Sequence, residues 1–215
     1  QEMLFWTKEE YEKFAESIKS KPASYYAFEI LYWCGIREGE LLALSKDDFD
    51  FEKKTLTITK SFQRLKGKDY ITSPKTEKSN RVIQLPQFLC DEMADFFGMY
   101  YHLDSKARLF TFTKSYLHHE MDRGCKLSGV KRIRVHDLRH SHVAYLIYDT
   151  FEAAVENTLD DCNSVYVRLS ENSDGLSAFF SIGTGRELPG DLFAAPVSAV
   201  ASDGSWDILL SLPEG

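Results

Sequence analysis

The sequence predicts an α+β protein in two parts. Residues 1–147 read as a mainly helical domain with a small three-stranded antiparallel sheet, and residues 148–215 as a C-terminal α+β hairpin appendage. Three observations predict this. Apolar residues recur at helical spacing through most of the first 147 positions, strand-like alternation there is confined to a short interval, and the charge changes abruptly at residue 148. From that point two basic residues, Arg168 and Arg186, stand against twelve acidic ones, a net of −10. Residues 1–147 hold 24 basic against 21 acidic residues, a net of +3, together with all six histidines. The whole-chain charge of −7 therefore averages two unlike pieces and does not exclude a nucleic-acid partner for the first.

Each element has its own local signal. Thr7 with Glu10 three residues later makes a capping box, and Trp6, Tyr11, Phe14 and Ile18 follow near helical spacing, so a helix is expected over 8–19. Pro22 opens a second helix through ASYYAFEILYWCG, Gly35 ends it, and IREGELLAL starts a third at once, which puts Arg37 at a helix-helix corner. TLTITKSFQ, YITSP and RVIQLP alternate as strands around a KGKD turn and make up the small sheet. Helices over 87–101 and 114–127 follow, Gly129 marks the end of the latter, and RVHDLRHSHV opens the last helix of the domain. In the appendage, FEAAVENTLDD reads as a short helix, SVYVRLSENSDGLSAFFSIG as two strands around a DG turn, and SWDILLSL as a final strand.

Composition limits the function classes. A hydrophobic content of 43% supports a buried core. No stretch approaches the roughly 20 apolar residues of a membrane span, and QEMLFWTKEEYEKF lacks the basic-then-apolar order of a signal peptide, so a cytoplasmic chain without a membrane partner is expected. Cys34, Cys90, Cys125 and Cys162 include no CxxC pair and read as reduced, mostly buried thiols. His136 and His140 have a zinc-like i, i+4 spacing, but no third ligand is recognisable and the intervening Arg139 would repel a cation, so neither metal nor cofactor is expected. His140 and His142 read as packed or capping histidines.

Arg37 at the corner, Lys75 in the turn SPKTEKSNR, and His136 with Arg139 on the last helix are each ordinary on their own: a surface ion-pair partner, a solvated lysine, a common spacing. Together GIREGELLAL, SPKTEKSNRVIQLP and HDLRHSHVAYL, in this order, resemble the catalytic domain of the tyrosine recombinases, particularly the integrases of phages and conjugative transposons of Gram-positive bacteria. The resemblance covers residues 4–147. It implies a site for transesterification at a DNA phosphate, with Arg37, His136 and Arg139 binding that phosphate. Arginine's planar, permanently charged fork suits the non-bridging oxygens better than the point charge of lysine. The resemblance makes His136 a hydrogen-bond donor that also helps move protons, and Lys75 the general acid for the departing 5′ oxygen. The arginines supply the charge stabilisation that a metal gives elsewhere.

The sequence departs from the family after this helix. There the family continues through a leucine-glycine-histidine turn to the nucleophilic tyrosine on another helix, and neither motif is present. Tyr145 and Tyr148 share a helix with Arg139, and Tyr166 falls in a strand pattern, so packing roles are expected for all three and the nucleophile is unassigned. The helical domains that precede this segment in the family are also not seen, so weak binding of double-stranded DNA is expected, with other recombinase protomers as further partners. The acidic appendage is faintly similar to the end of a histidine kinase ATP-binding domain but lacks its asparagine and glycine motifs. Three functions follow: an incomplete integrase catalytic domain, a noncatalytic DNA-binding or regulatory remnant, and a signalling fragment defined by the tail.

Overall fold

A central helix organises the first unit. In the computed structural model, which describes residues 4–72, 80–100, 104–157, 164–172, 175–183 and 205–211, helix α1 spans Lys8–Ile18 and α2 spans Pro22–Cys34. The expected box starts α1: Thr7 Oγ1 accepts from the Glu10 amide at 3.3 Å and the Glu10 carboxylate accepts from the Thr7 amide at 3.0 Å. Pro22 begins α2, which is apolar almost all round and buries Ala27, Phe28, Ile30, Leu31 and Tyr32, as a helix enclosed by others must. Tyr11 of α1 stacks on Tyr32 of α2 with ring centroids 3.7 Å apart.

The corner after Gly35 is tighter than the sequence suggests. Helix α3 is a single turn, Glu38–Leu41, and Leu41 to Leu44 plunge into the core before a 3-10 turn at Lys46–Asp48. The sheet is antiparallel in the order β1-β2-β5, from Phe49–Asp50, Thr55–Ile58 and Arg81–Gln84. Strands β3 (Ser61–Leu65) and β4 (Lys68–Thr72) form a separate two-stranded ribbon. Three strands were expected in one sheet, but the chain leaves the sheet after Ile58. Lys66 and Gly67, both at positive φ, then turn the ribbon tightly on itself. The two-residue β1 fills the place of the third strand.

Helices α4 (Gln87–Gly98) and α5 (Lys114–Ser128) complete the core. A Cβ on Gly124 of α5 would run into the Phe14 and Ile18 side chains of α1, so these two helices meet at a point where only glycine fits. Helix α6 (Leu138–Asn157) follows a 3-10 turn at Val135–Asp137. It does not stop where the charge changes: a single helix replaces the two segments expected on either side of residue 148, since LIYDTFEAAVEN contains no glycine or proline to break it.

Contacts divide the chain into Leu4–Ala144 and a second unit that runs from Tyr145 onward. The second contains an antiparallel sheet in the order β7-β6-β8, from Gly175–Gly183, Ser164–Asn172 and Ser205–Ser211. The expected hairpin is β6 with β7; its turn residues 173 and 174 lie outside the described residues. Cys34, Cys90 and Cys125 are buried free thiols, and Cys162 lies outside the described residues. No helix among the described residues is long and apolar enough to cross a membrane.

Candidate functional site

The site is built on the exit from α2. Gly35 adopts a left-handed conformation (φ 57°, ψ 29°) that ends the helix, and any Cβ there would collide with the His142 ring of α6. Backbone and neighbour therefore demand glycine independently. The chain then extends through Arg37 (φ −78°, ψ 151°), which caps α3 and stands half-exposed at the corner.

Glu40 anchors that corner. It is buried, and one oxygen accepts from the Arg37 amide at 2.8 Å. Arg81 at the start of β5 forks onto the same carboxylate at 3.0 and 2.7 Å, and Arg37 Nη1 lies 3.4 Å from it. Burial alone would raise the Glu40 pKa, but the Arg81 hydrogen bonds and the Arg37 amide outweigh it and hold the group below the ordinary carboxylate value. The result is a permanent anion that fixes two arginines.

The last helix reaches the same corner. Arg139, in the first turn of α6, donates from Nη1 to the Gly35 carbonyl at 2.6 Å across 104 positions of sequence. Two bonds fix that turn. Trp6 donates its amide to Ser141 Oγ at 2.9 Å, and Ser141 Oγ donates to the Asp137 carbonyl at 3.0 Å. Asp137 is buried and accepts from the Arg134 amide at 2.9 Å and from its guanidinium at 2.7 Å. His136 is exposed one turn before Arg139, its ring edge-on to His140 with centroids 5.8 Å apart. His142 is partly buried. Desolvation first, then the charge of Arg139, pushes its pKa down to about 4, so the ring is neutral near pH 7.

Of the four residues expected in the site, the structure joins Arg139 to the backbone corner that carries Arg37, and sets His136 on the turn leading into Arg139. Lys75 lies outside the described residues. The strands on either side are described: β4 ends at Thr72, and β5 begins at Arg81, which grips Glu40. Gly39 of α3 abuts Ser61 and Phe62 of β3, which ties the ribbon to the same corner. Sequence reasoning missed Glu40, Arg81 and the Gly35 to His142 contact. The local signal was there for Glu40, at the N3 position after Arg37, but its second partner lies 41 positions away.

The sequence of residues 5–155 matches the model of the phage integrase family. The chain belongs to that family. It is 31% identical over 160 residues to the ICEBs1 integrase of Bacillus subtilis (strain 168), an alignment that takes in 68% of this chain and 44% of that protein. The chain thus spans less than half the length of this relative. Two solved structures share its fold. The Tn1549 transposon integrase in complex with a circular intermediate DNA is 20% identical with a TM-score of 0.59, over 69% of this chain and 54% of that one. The XerA recombinase is 19% identical with a TM-score of 0.54, over 68% and 50%. The family match ends at 155, so β6, β7 and β8 lie beyond it.

Proposed function

We propose that residues 4–147 form the phosphate-handling part of a tyrosine recombinase site, serving DNA integration by transesterification at a DNA phosphate. The observation that carries this reading is the Arg139 hydrogen bond to Gly35, which draws the arginine of the last helix to the corner bearing Arg37. Arg37 and Arg139 hold the non-bridging oxygens, where developing negative charge is greatest. His136, exposed beside Arg139, donates to the same phosphate. Lys75 protonates the departing 5′ oxygen from a segment whose far end is anchored through Arg81 to Glu40. The partners that follow are double-stranded DNA and further recombinase protomers, met in the cytoplasm.

A noncatalytic, DNA-binding role for residues 1–215 is favoured by the backbone of Tyr166. It sits mid-strand in β6, opposite Ser181 on one side and Leu209 on the other, rather than on a helix after the arginines. A clamp and an acid stabilise a transition state that only an in-line nucleophile can reach.

Incubation of this polypeptide with a nicked suicide duplex, followed by denaturing electrophoresis, tests both points. The expected result is no covalent adduct, with low-salt duplex binding that weakens at least about tenfold in Arg37→Ala and in Arg139→Ala. An adduct that disappears on Tyr166→Phe would show that the tail supplies the nucleophile. Binding unchanged in both arginine variants would overturn the phosphate assignment.

A further inference from the structure

His142 takes no part in the phosphate contacts proposed above, yet it touches the main chain that sets them. Its Cδ2, Cγ and Cβ would all crowd a Cβ placed on Gly35, the first of them too closely for both to stand. The ring also faces the main chain of Tyr32, three residues before Gly35, in a way that favours its protonated form. Nδ1 is enclosed and has no hydrogen-bond partner among the described residues. Arg139 lies one turn earlier on α6, and its guanidinium donates to the Gly35 carbonyl. One side chain therefore lies against Gly35 and within electrostatic reach of Arg139, the two partners of that bond.

We propose that His142 is a positioning residue: its ring is the surface against which the Gly35 corner and the Arg139 guanidinium are set, so that it fixes both phosphate-binding arginines without touching the phosphate. The inference rests on the reading of Arg37 and Arg139 given above. Histidine suits the place for three reasons. It is flat enough to lie under a glycine, it presents a polar ring to the Tyr32 main chain, and it adds no charge beside Arg139. A lysine or arginine would supply a donor but repel the guanidinium. Leucine would fill the volume and present no polar group to that main chain.

The test uses the full 215-residue chain, duplex binding by fluorescence anisotropy at low salt, and thermal unfolding in parallel. His142→Leu is expected to weaken duplex binding about tenfold, the scale of losing one arginine contact. His142→Gln, which restores a donor without charge, is expected to recover most of that affinity. In the His142→Leu and Arg139→Ala double variant the two losses should fall well short of adding, because both act through one group. Should His142→Leu fail to fold, His142→Phe carries the same comparison with a ring in place. A folded Leu or Phe variant that melts earlier but binds DNA as the parent does would overturn the proposal, and so would full additivity with Arg139→Ala. If Arg37→Ala and Arg139→Ala leave binding unchanged, the functional reading itself falls, whereas an effect of those variants with none at His142 removes this inference alone.

Discussion

At the scale of single residues, burial decides which charges answer to pH. Glu29 is buried between α1 and α2, where Tyr11 and Trp33 each donate to its carboxylate at 2.8 Å. Desolvation outweighs these bonds and pushes its pKa up to about 7, against an ordinary value of 4.5. The folded state therefore holds this proton more tightly than the unfolded chain. The resulting stability is complete below pH 4.5 and is lost as the pH rises through 7. His142 acts in the opposite sense: its pKa falls from 6.5 to about 4, so its contribution is complete above 6.5 and is lost as the pH drops toward 4. The two windows overlap and partly cancel. We expect the melting temperature of Glu29→Gln to rise with pH between 5 and 6.5 where that of the parent stays nearly level, because the variant keeps the His142 gain and loses the opposing Glu29 contribution. Thermal unfolding across that range checks this, and parallel profiles would refute it.

At the scale of elements, the interior tolerates neither a missing charge nor an added methyl. Removing Arg81 leaves the buried Glu40 carboxylate with only the Arg37 amide and one long contact. Arg81→Ala is expected to cost about 3 kcal/mol in chemical denaturation, the lower range for stripping one partner from a buried ion pair. Gly124→Ala gives a sharper contrast of magnitudes. Alanine is favoured in a helix by about 1 kcal/mol, yet the new methyl would enter the space of Phe14 and Ile18, an overpacking cost of about 1–3 kcal/mol. Net destabilisation is expected, and a variant as stable as the parent would show that α1 and α5 separate more easily than their contact suggests. Neither tie was legible in the sequence. The helices were, because Thr7, Pro22, Gly35 and Gly129 act within one turn of themselves. The sheet was legible only in part. Ile58 and Ser61 belong to one alternating run, and nothing local says that the chain changes partners between them. The continuity of α6 escaped notice because a change of charge is not a change of backbone preference. Within the candidate site, the residues proposed to carry chemistry stood out by type and order, while Glu40, Arg81 and His142 are defined by contacts over long separations.

At the scale of the whole molecule, charge is divided along the chain more sharply than structure. Residues from 148 onward carry a net of −10, and those before it +3. A duplex approached by both feels attraction from one and repulsion from the other, and at low salt neither is screened. A chain ending at residue 148 is expected to bind nonspecific duplex more tightly than the full polypeptide, with the difference shrinking as salt rises. Anisotropy titrations at several salt concentrations measure this. Weaker binding by a truncation that keeps its helical circular dichroism would count against a repelling tail.

The bond between Arg139 and Gly35 also has a consequence in time. It joins residues 104 positions apart, and translation adds about 5–20 residues per second. Arg37 therefore leaves the ribosome some 5 to 20 s before the residue that completes its corner. Throughout that interval the nascent chain holds half of the proposed site, with α6 still unmade. On the proposed reading, DNA can be engaged through both arginines only once nearly all of the family-matched part has been synthesised, so the order of synthesis itself delays the encounter until the fold is ready for it.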